Sequence, residues 1–373
     1  MGPTPITQPT SPAIRLTMAR VLVRGERGEI NNLDVRYLQD YATPVHVCLQ
    51  RVDTGHDGNL EGYHHRGIMA GAESFPIEAY DNWMEVLKLP WVIGDFVWTS
   101  MDYLGESGIG RVCFDDEDHR SLGKYPWHHA YCGDIDLAGF KRPQSYYRDI
   151  LWNCGDKLYI AVRTPLPAGK KSELTWWGWW DVWHNWNWQG HEGETLKVYV
   201  YSGYEQVELF LNGKSLGMKP SGKAEHFLAG FEVPYEPGEL KAVGYVDGKP
   251  AGEKVIRTTG APKAIRLMPD RATLKAEYGD LCFVTVEIVD EEGNVVPNAS
   301  NQVFFTVQGP GVIAAVGNAD PVSTERYTGN TRKAHRGVCL AVIKTLGETG
   351  MIHLRAQADG LDTAEVILSA LQA

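Results

Sequence analysis

Between residues 67 and 110, side chains able to do chemistry gather at two places. Glu73 ends the apolar run GIMAGAES, and Asp95, Asp102 and Glu106 surround Trp98 in WVIGDFVWTSMDYLGES. Glycosidic bonds are cleaved by carboxyl groups flanking the scissile bond, and a flat aromatic ring suits the apolar face of a sugar. This mixture of residues therefore points to carbohydrate chemistry. The same carboxylates also have a plainer reading, because an acidic residue at a strand end often caps a helix or lies solvated in a loop. A second candidate is TWWGWWDVWHNWNWQGHEG, which holds seven of the 12 Trp. Its rings could stack on sugars while His184, Asn185, Asn187 and His191 bond hydroxyls, or they could simply bury apolar area. A third group, Asp53, His56, Asp57, Glu61, His64 and His65, reads as a polar loop. Its spacing fits neither a helical i, i+4 pair nor a Cys/His signature, so neither a metal nor a cofactor is expected.

The elements that must position these residues change character along the chain. In PIEAYDNWMEVLKLP, Ala79, Trp83, Val86 and Leu87 share helical spacing between Pro76 and Pro90. Apolar, strand-like runs ending in polar residues lie on either side. Strand, polar end, helix, strand, polar end is the grammar of a β/α repeat, in which the C-terminal ends of parallel strands build the site. A further helix is expected over Pro143–Leu151, with Tyr146, Ile150 and Leu151 on one side. After Asn153 the pattern becomes one of short strands (KLYIAVRT, TLKVYVYS, QVELFLNGKSLGMK), with Asn212-Gly213 and Asp247-Gly248 as two-residue hairpin turns. A junction near Gly260-Ala261-Pro262 opens a second such series, so two sandwiches are expected. In that second series Asp290-Glu291-Glu292 reads as a solvated turn. The first dozen residues read as a disordered tail, and residues 19–66 show no clear period.

Composition narrows the function classes. With 47 acidic and 36 basic side chains the net charge is −11, which argues against a nucleic-acid or anionic-membrane partner. No apolar run reaches the roughly 18–20 residues of a membrane span, and the N-terminus lacks the apolar stretch of a secretory signal. A soluble chain is expected. The 6 Cys are scattered singly and fix no redox compartment.

The segments AESFPIEAYDNWMEVLKLPWVIGDFVWTSMDYLGESGIG and YPWHHAYCGDIDLAGFKRPQSYYRDILW closely resemble the last two β/α units of the barrel in glycoside hydrolase family 2, particularly its β-galactosidases. WNWQGHEGETLKVYVYSGYEQVELFLNGKSLG resembles the sandwich that follows the barrel in many bacterial members, and TTGAPKAIRLMPDRATLKAEYGDLCFVTVEIVDEEGNVVPNA a further immunoglobulin-like domain. The resemblance implies a mixed fold. A partial (β/α) barrel remnant over 67–152 is followed by two immunoglobulin-like all-β sandwich domains over 153–260 and 261–373, with 1–66 unassigned. It implies Glu73 as the nucleophile of a retaining reaction and Trp98 as the floor of the sugar site. Asp95, Asp102 and Glu106 belong to the same matched run, with helix capping and loop bracing as their first expected duties and Asp102 and Glu106 also placed on the substrate side.

The family's acid/base is the Glu of an Asn-Glu pair, and no Asn-Glu dipeptide occurs in the 373 residues. About six of the eight barrel units also lack a counterpart, so the expectation is the C-terminal part of a larger enzyme. The activity implied is retaining β-galactosidase chemistry on a β-galactoside or related oligosaccharide, in a bacterial cytoplasm or periplasm. The alternative is a catalytically incomplete accessory module. The barrel segment, short of its neighbours, should be exposed, rearranged or covered by residues 19–66. Homo-oligomer formation, with the last domain as spacer, wall or contact, stays open.

Overall fold

The structure is a computed structural model that describes residues 21–22, 48–51, 79–81, 83–84, 87, 95–114, 122–175 and 178–372. Glu73, the polar group between Asp53 and His65, Trp176 and Trp177 lie outside the described residues, and Trp98 is described by its backbone alone.

Three strands come first: β1 (Val21–Leu22), β2 (Cys48–Arg51) and β3 (Asp95–Trp98). β1 is antiparallel to β2, and β2 is parallel to β3, with Cys48 opposite Asp95 and Arg51 opposite Trp98. The segment ending in Trp98 thus takes its strand partner from residues 19–66. A parallel pair needs a crossover of about a dozen residues or more, and the helical residues 79–81, 83–84 and 87 fall within that connection. Ala79 and Met84 are buried there, whereas Leu87 is 57% exposed. Eight residues of helix overshoot two turns by about 80°, which carries Leu87 off the face that Ala79 occupies.

β4 (Val112–Phe114) leads towards the helix Pro143–Leu151, which opens on Pro143 at its first turn, where the missing N–H is no loss. Its end is marked by Asn153 at φ 55° and by Trp152 donating its N–H to Arg148 O. The buried face carries Tyr147, rather than the expected Tyr146, with Ile150 and Leu151, and also Gln144 and Arg148. Tyr146 is only half-buried.

The middle unit comprises β5 (Leu158–Arg163), β6 (Ser172–Leu174), β7 (Val182–Trp183), β8 (Thr195–Ser202), β9 (Gln206–Leu211), β10 (Lys214–Pro220), β11 (Leu228–Pro234), β12 (Glu239–Val246) and β13 (Lys249–Arg257). One sheet runs β11-β8-β5-β7 and the other β10-β9-β12-β13, and alternate residues of both, among them Ile160, Val198, Leu209 and Leu240, meet in one core. β5 departs from alternation because both its faces are covered. Tyr159 and Ala161 turn outward into a second core with Tyr147 and Leu151 of the helix, while Ile160 and Val162 turn inward. At the hairpins, Asn212 and Gly213 have φ of 50° and 78°, and Asp247 and Gly248 have 50° and 70°. These are the left-handed pairs that a two-residue turn requires if it is to match the strand twist.

The last unit contains β14 (Ala264–Pro269), β15 (Thr273–Lys275), β16 (Tyr278–Val289), β17 (Gln302–Gln308), β18 (Gly311–Gly317), β19 (Thr331–Lys333), β20 (Val338–Leu346), β21 (Gly350–Gln357) and β22 (Ala364–Leu371). Its sheets β14-β16-β20-β18 and β15-β22-β21-β17-β19 enclose a core that includes Val286, Ile343, Phe305 and Leu354. Asp290 is not solvated, contrary to the sequence expectation. It is 3% exposed and accepts the N–H groups of Gly260 (3.0 Å) and Asn294 (2.8 Å). Its carboxylate pins the junction between the two sandwiches, a duty that the charged run around it hides.

Candidate active site

β3 ends at Trp98, and the chain that follows carries Asp102 and Glu106. This loop is tied by backbone hydrogen bonds to residues 128–135: Asp102 N to Ile135 O at 2.9 Å, Ala130 N to Tyr103 O at 2.9 Å and Gly108 N to His129 O at 2.9 Å. Glu106 is exposed, sits at φ 41° and accepts the Tyr103 hydroxyl. Asp102 has no exposed side-chain surface. Its carboxylate accepts Gly133 N–H at 2.7 Å and the Arg142 guanidinium at 3.1 and 3.3 Å. Asp102 thus performs the loop-bracing duty expected of it from the sequence.

Gly133 permits this closeness, because a Cβ on it would stand 2.2 Å from Asp102 N. Arg142 also donates to the carbonyls of Tyr131 (3.0 Å) and Gly133 (3.2 Å) and lies 3.6 Å over the Tyr131 ring. A neighbouring pair, Arg148 and Asp134 at 2.6 Å, fastens the 128–135 segment to the helix.

Burial sets the charge states here. Desolvation pushes the Asp102 carboxyl up to about 6, against the attraction of Arg142 and the Gly133 hydrogen bond. Desolvation, reinforced by His128 and Arg142, pushes His129 down to about 4. The approach of His129 Nε2 to Asp102 at 3.9 Å is therefore not an ion pair at neutral pH, since the imidazole is uncharged. Among the described residues neither ring nitrogen of His129 has a hydrogen-bond partner. Sequence reading passed over His129, Gly133, Asp134 and Arg142. All four stand in the run YPWHHAYCGDIDLAGFKRP, but only the tertiary pairing gives them a task.

The Trp-rich segment is packed. Trp179, Trp180 and Trp186 are buried, and Trp186 Nε1 donates to Glu236 O at 3.0 Å and Trp179 Nε1 to the Tyr201 hydroxyl at 3.2 Å. His184 Nδ1 bonds Ile160 O at 2.8 Å and Asn187 Nδ2 bonds Thr259 at 2.6 Å, so these polar groups serve the fold. Among the described residues no group of three or more His, Cys, Asp or Glu could hold a metal, and no helix is long and apolar enough to cross a membrane.

Residues 265–367 match the glycoside hydrolase family 2 C-terminal domain 5, and residues 193–252 match a domain of unknown function. A β-galactosidase of Bacteroides ovatus is 37% identical over 291 residues, which is 77% of this chain and 30% of that protein. The chain belongs to glycoside hydrolase family 2. A crystal structure of a family 2 member from Bacteroides cellulosilyticus superposes with TM-score 0.72 at 38% identity, covering 79% of this chain and 38% of that one. A β-glucuronidase of Formosa agariphila is 26% identical over 214 residues, 57% of this chain and 22% of that protein. The family 2 chain described here therefore spans about a third of such relatives, and their names divide between two sugars.

Asp102→Ala is expected to destabilise this family 2 chain by about 3–5 kcal/mol, because it leaves the buried Arg142 guanidinium without its carboxylate. Asp102→Asn, which keeps an acceptor oxygen, should lose less. The pH dependence has a definite sign. With its pKa raised from 3.8 to about 6, folded Asp102 holds a proton that the unfolded chain has already released. Ionisation at this position therefore works against folding as pH climbs through that window. The stability of Asp102→Asn relative to wild type should rise between about pH 4 and 6 and then level off. Urea unfolding of the full chain across that range measures both effects, and an unchanged midpoint in Asp102→Ala would contradict the bracing role.

Proposed function

We propose that this chain carries the nucleophile half of a retaining β-galactosidase site. Glu73 attacks the anomeric carbon to give a covalent glycosyl-enzyme, Trp98 floors the sugar, and Glu106 lies at the rim. Asp102 acts behind them as a positioning residue, holding the loop that leaves β3. In this reading residues 67–152 are the last β/α units of a barrel, and 153–260 and 261–373 are immunoglobulin-like sandwiches. The observation that carries the proposal is the alignment at 37% identity with the Bacteroides ovatus β-galactosidase. The parallel pairing of β2 with β3 supports it, because functional residues of β/α folds collect where parallel strands end.

The absence of an Asn-Glu pair favours a second reading, in which the chain is a catalytically incomplete accessory to a larger glycosidase. Covalent trapping separates the two. An activated 2-fluoro β-galactoside should add one sugar to the peptide containing Glu73, and should do so faster than the matching β-glucuronide. Label on another carboxylate would overturn the role of Glu73, faster glucuronide labelling would overturn the sugar, and no label at all would leave the accessory reading in possession.

A further inference from the structure

The three units meet around a cleft of about 630 Å³, within the roughly 300–1,000 Å³ usual for small-molecule sites. The helix segment supplies Phe140 and Tyr146, the middle sandwich Trp183 and Lys254, and the last unit His335 and Arg336. Most cations on its walls are already matched. Arg142 pairs with Asp102, Lys141 with Asp149 (2.6 Å), Lys254 with Asp156 (2.8 Å), Arg257 with Glu239 (2.6 Å) and Arg266 with Glu287 (2.5 Å). The remaining acid, Asp136, accepts the N–H groups of Ala138 and Phe140.

Arg336 differs from the other cations. Its guanidinium lies 3.4 Å over the Trp183 ring, and no carboxylate among the described residues pairs with it. Its backbone is held at φ 52° beside Gly337 at 79°, in a turn closed by His335 N to Val338 O (2.8 Å) and Val338 N to His335 O (3.0 Å). A left-handed Arg is unfavourable where Gly would be at ease. Stacking fixes the plane of the fork, among the described residues no acceptor takes its N–H edge, and in-plane bidentate donation is the geometry that recognises a carboxylate.

We propose that this cleft binds an acidic saccharide, with Arg336 taking the carboxylate of a uronic acid residue while half-buried Phe140 and Tyr146 offer apolar surface to the sugar ring. The anionic part of the inference rests on Arg336, and the saccharide part on membership of a glycosidase family. Neither depends on Glu73 being the nucleophile. A ligand here touches all three units, so binding should also stiffen their junction.

The test is calorimetric titration of the full chain with digalacturonate, its neutral counterpart galactobiose, and acetate. Digalacturonate should bind, with galactobiose weaker by roughly 10- to 100-fold, the span expected for a charged hydrogen-bonding group, and acetate weaker because it lacks the sugar ring. Arg336→Gly should lose digalacturonate binding by a similar factor without lowering the melting temperature, because Gly suits this turn. Arg336→Lys, which keeps the charge but not the fork, should bind more weakly than wild type. Equal binding of galactobiose, undiminished binding in Arg336→Gly, or no binding of digalacturonate to the wild type would overturn the proposal. Acetate binding as tightly as digalacturonate would reduce the site to a general anion contact and overturn its saccharide half. Digalacturonate binding can succeed or fail whatever the covalent trapping at Glu73 shows.

Discussion

Glu73→Gln is expected to reduce hydrolysis of nitrophenyl β-galactoside on the order of 10⁴-fold or more, the scale seen when a covalent nucleophile is removed. Gln nearly preserves the shape of Glu, so the change isolates chemistry from packing. An amide oxygen does not form the covalent glycosyl-enzyme, and it withdraws the negative charge that stabilises an oxocarbenium-like transition state. Unfolding measured beside the rate separates loss of chemistry from loss of structure. Activity within tenfold of wild type would move the nucleophile elsewhere and remove the main support for reading AESFP as a catalytic motif.

The second large effect concerns the leaving group. The chain has no Asn-Glu pair, and Asp102 and Glu106, which follow β3 in the chain, offer a poor substitute. The Asp102 carboxyl has no exposed surface and is occupied by Arg142 and Gly133, so despite a pKa near 6 it has no path to a glycosidic oxygen. Glu106 is exposed and bonded to Tyr103. General acid catalysis is worth about 10²–10⁴-fold, and nitrophenolate needs little of it while the glucose leaving from lactose needs nearly all. The ratio of kcat/KM for nitrophenyl galactoside over lactose should therefore exceed that of a complete two-carboxylate enzyme by a comparable factor. Equal rates on the two substrates would show that some group in this chain supplies the proton.

Some of the molecule is written locally and was legible without coordinates. Asn212-Gly213 and Asp247-Gly248 form left-handed turns because few other residue pairs tolerate positive φ twice running. Pro143 opens its helix, and the two sheet-rich series fold on either side of Gly260. Other features depend on partners distant in sequence. Cys48–Arg51 has no period of its own, yet it pairs in parallel with Asp95–Trp98. Seven Trp in one segment suggest a sugar platform, whereas Trp179 and Trp180 pack between the helix and the sandwich and Trp186 sits in the core of the sandwich itself. Asp290 looks solvated among acids but is claimed by the N–H of Gly260.

The sequence alone pointed to the family, to the helix at Pro143 and the two strand-rich series after it, and to the residues that follow β3, because turn chemistry, hydrophobic period and motif are properties of neighbouring residues. Tertiary structure decided what those residues face. Asp102 is a brace because Gly133 and Arg142, 31 and 40 residues onward, close over it. Arg336 is held over Trp183 from another unit, with no carboxylate partner among the described residues. A carboxylate or guanidinium acquires its charge state and its task from desolvation and from partners, and both are set only when distant segments pack.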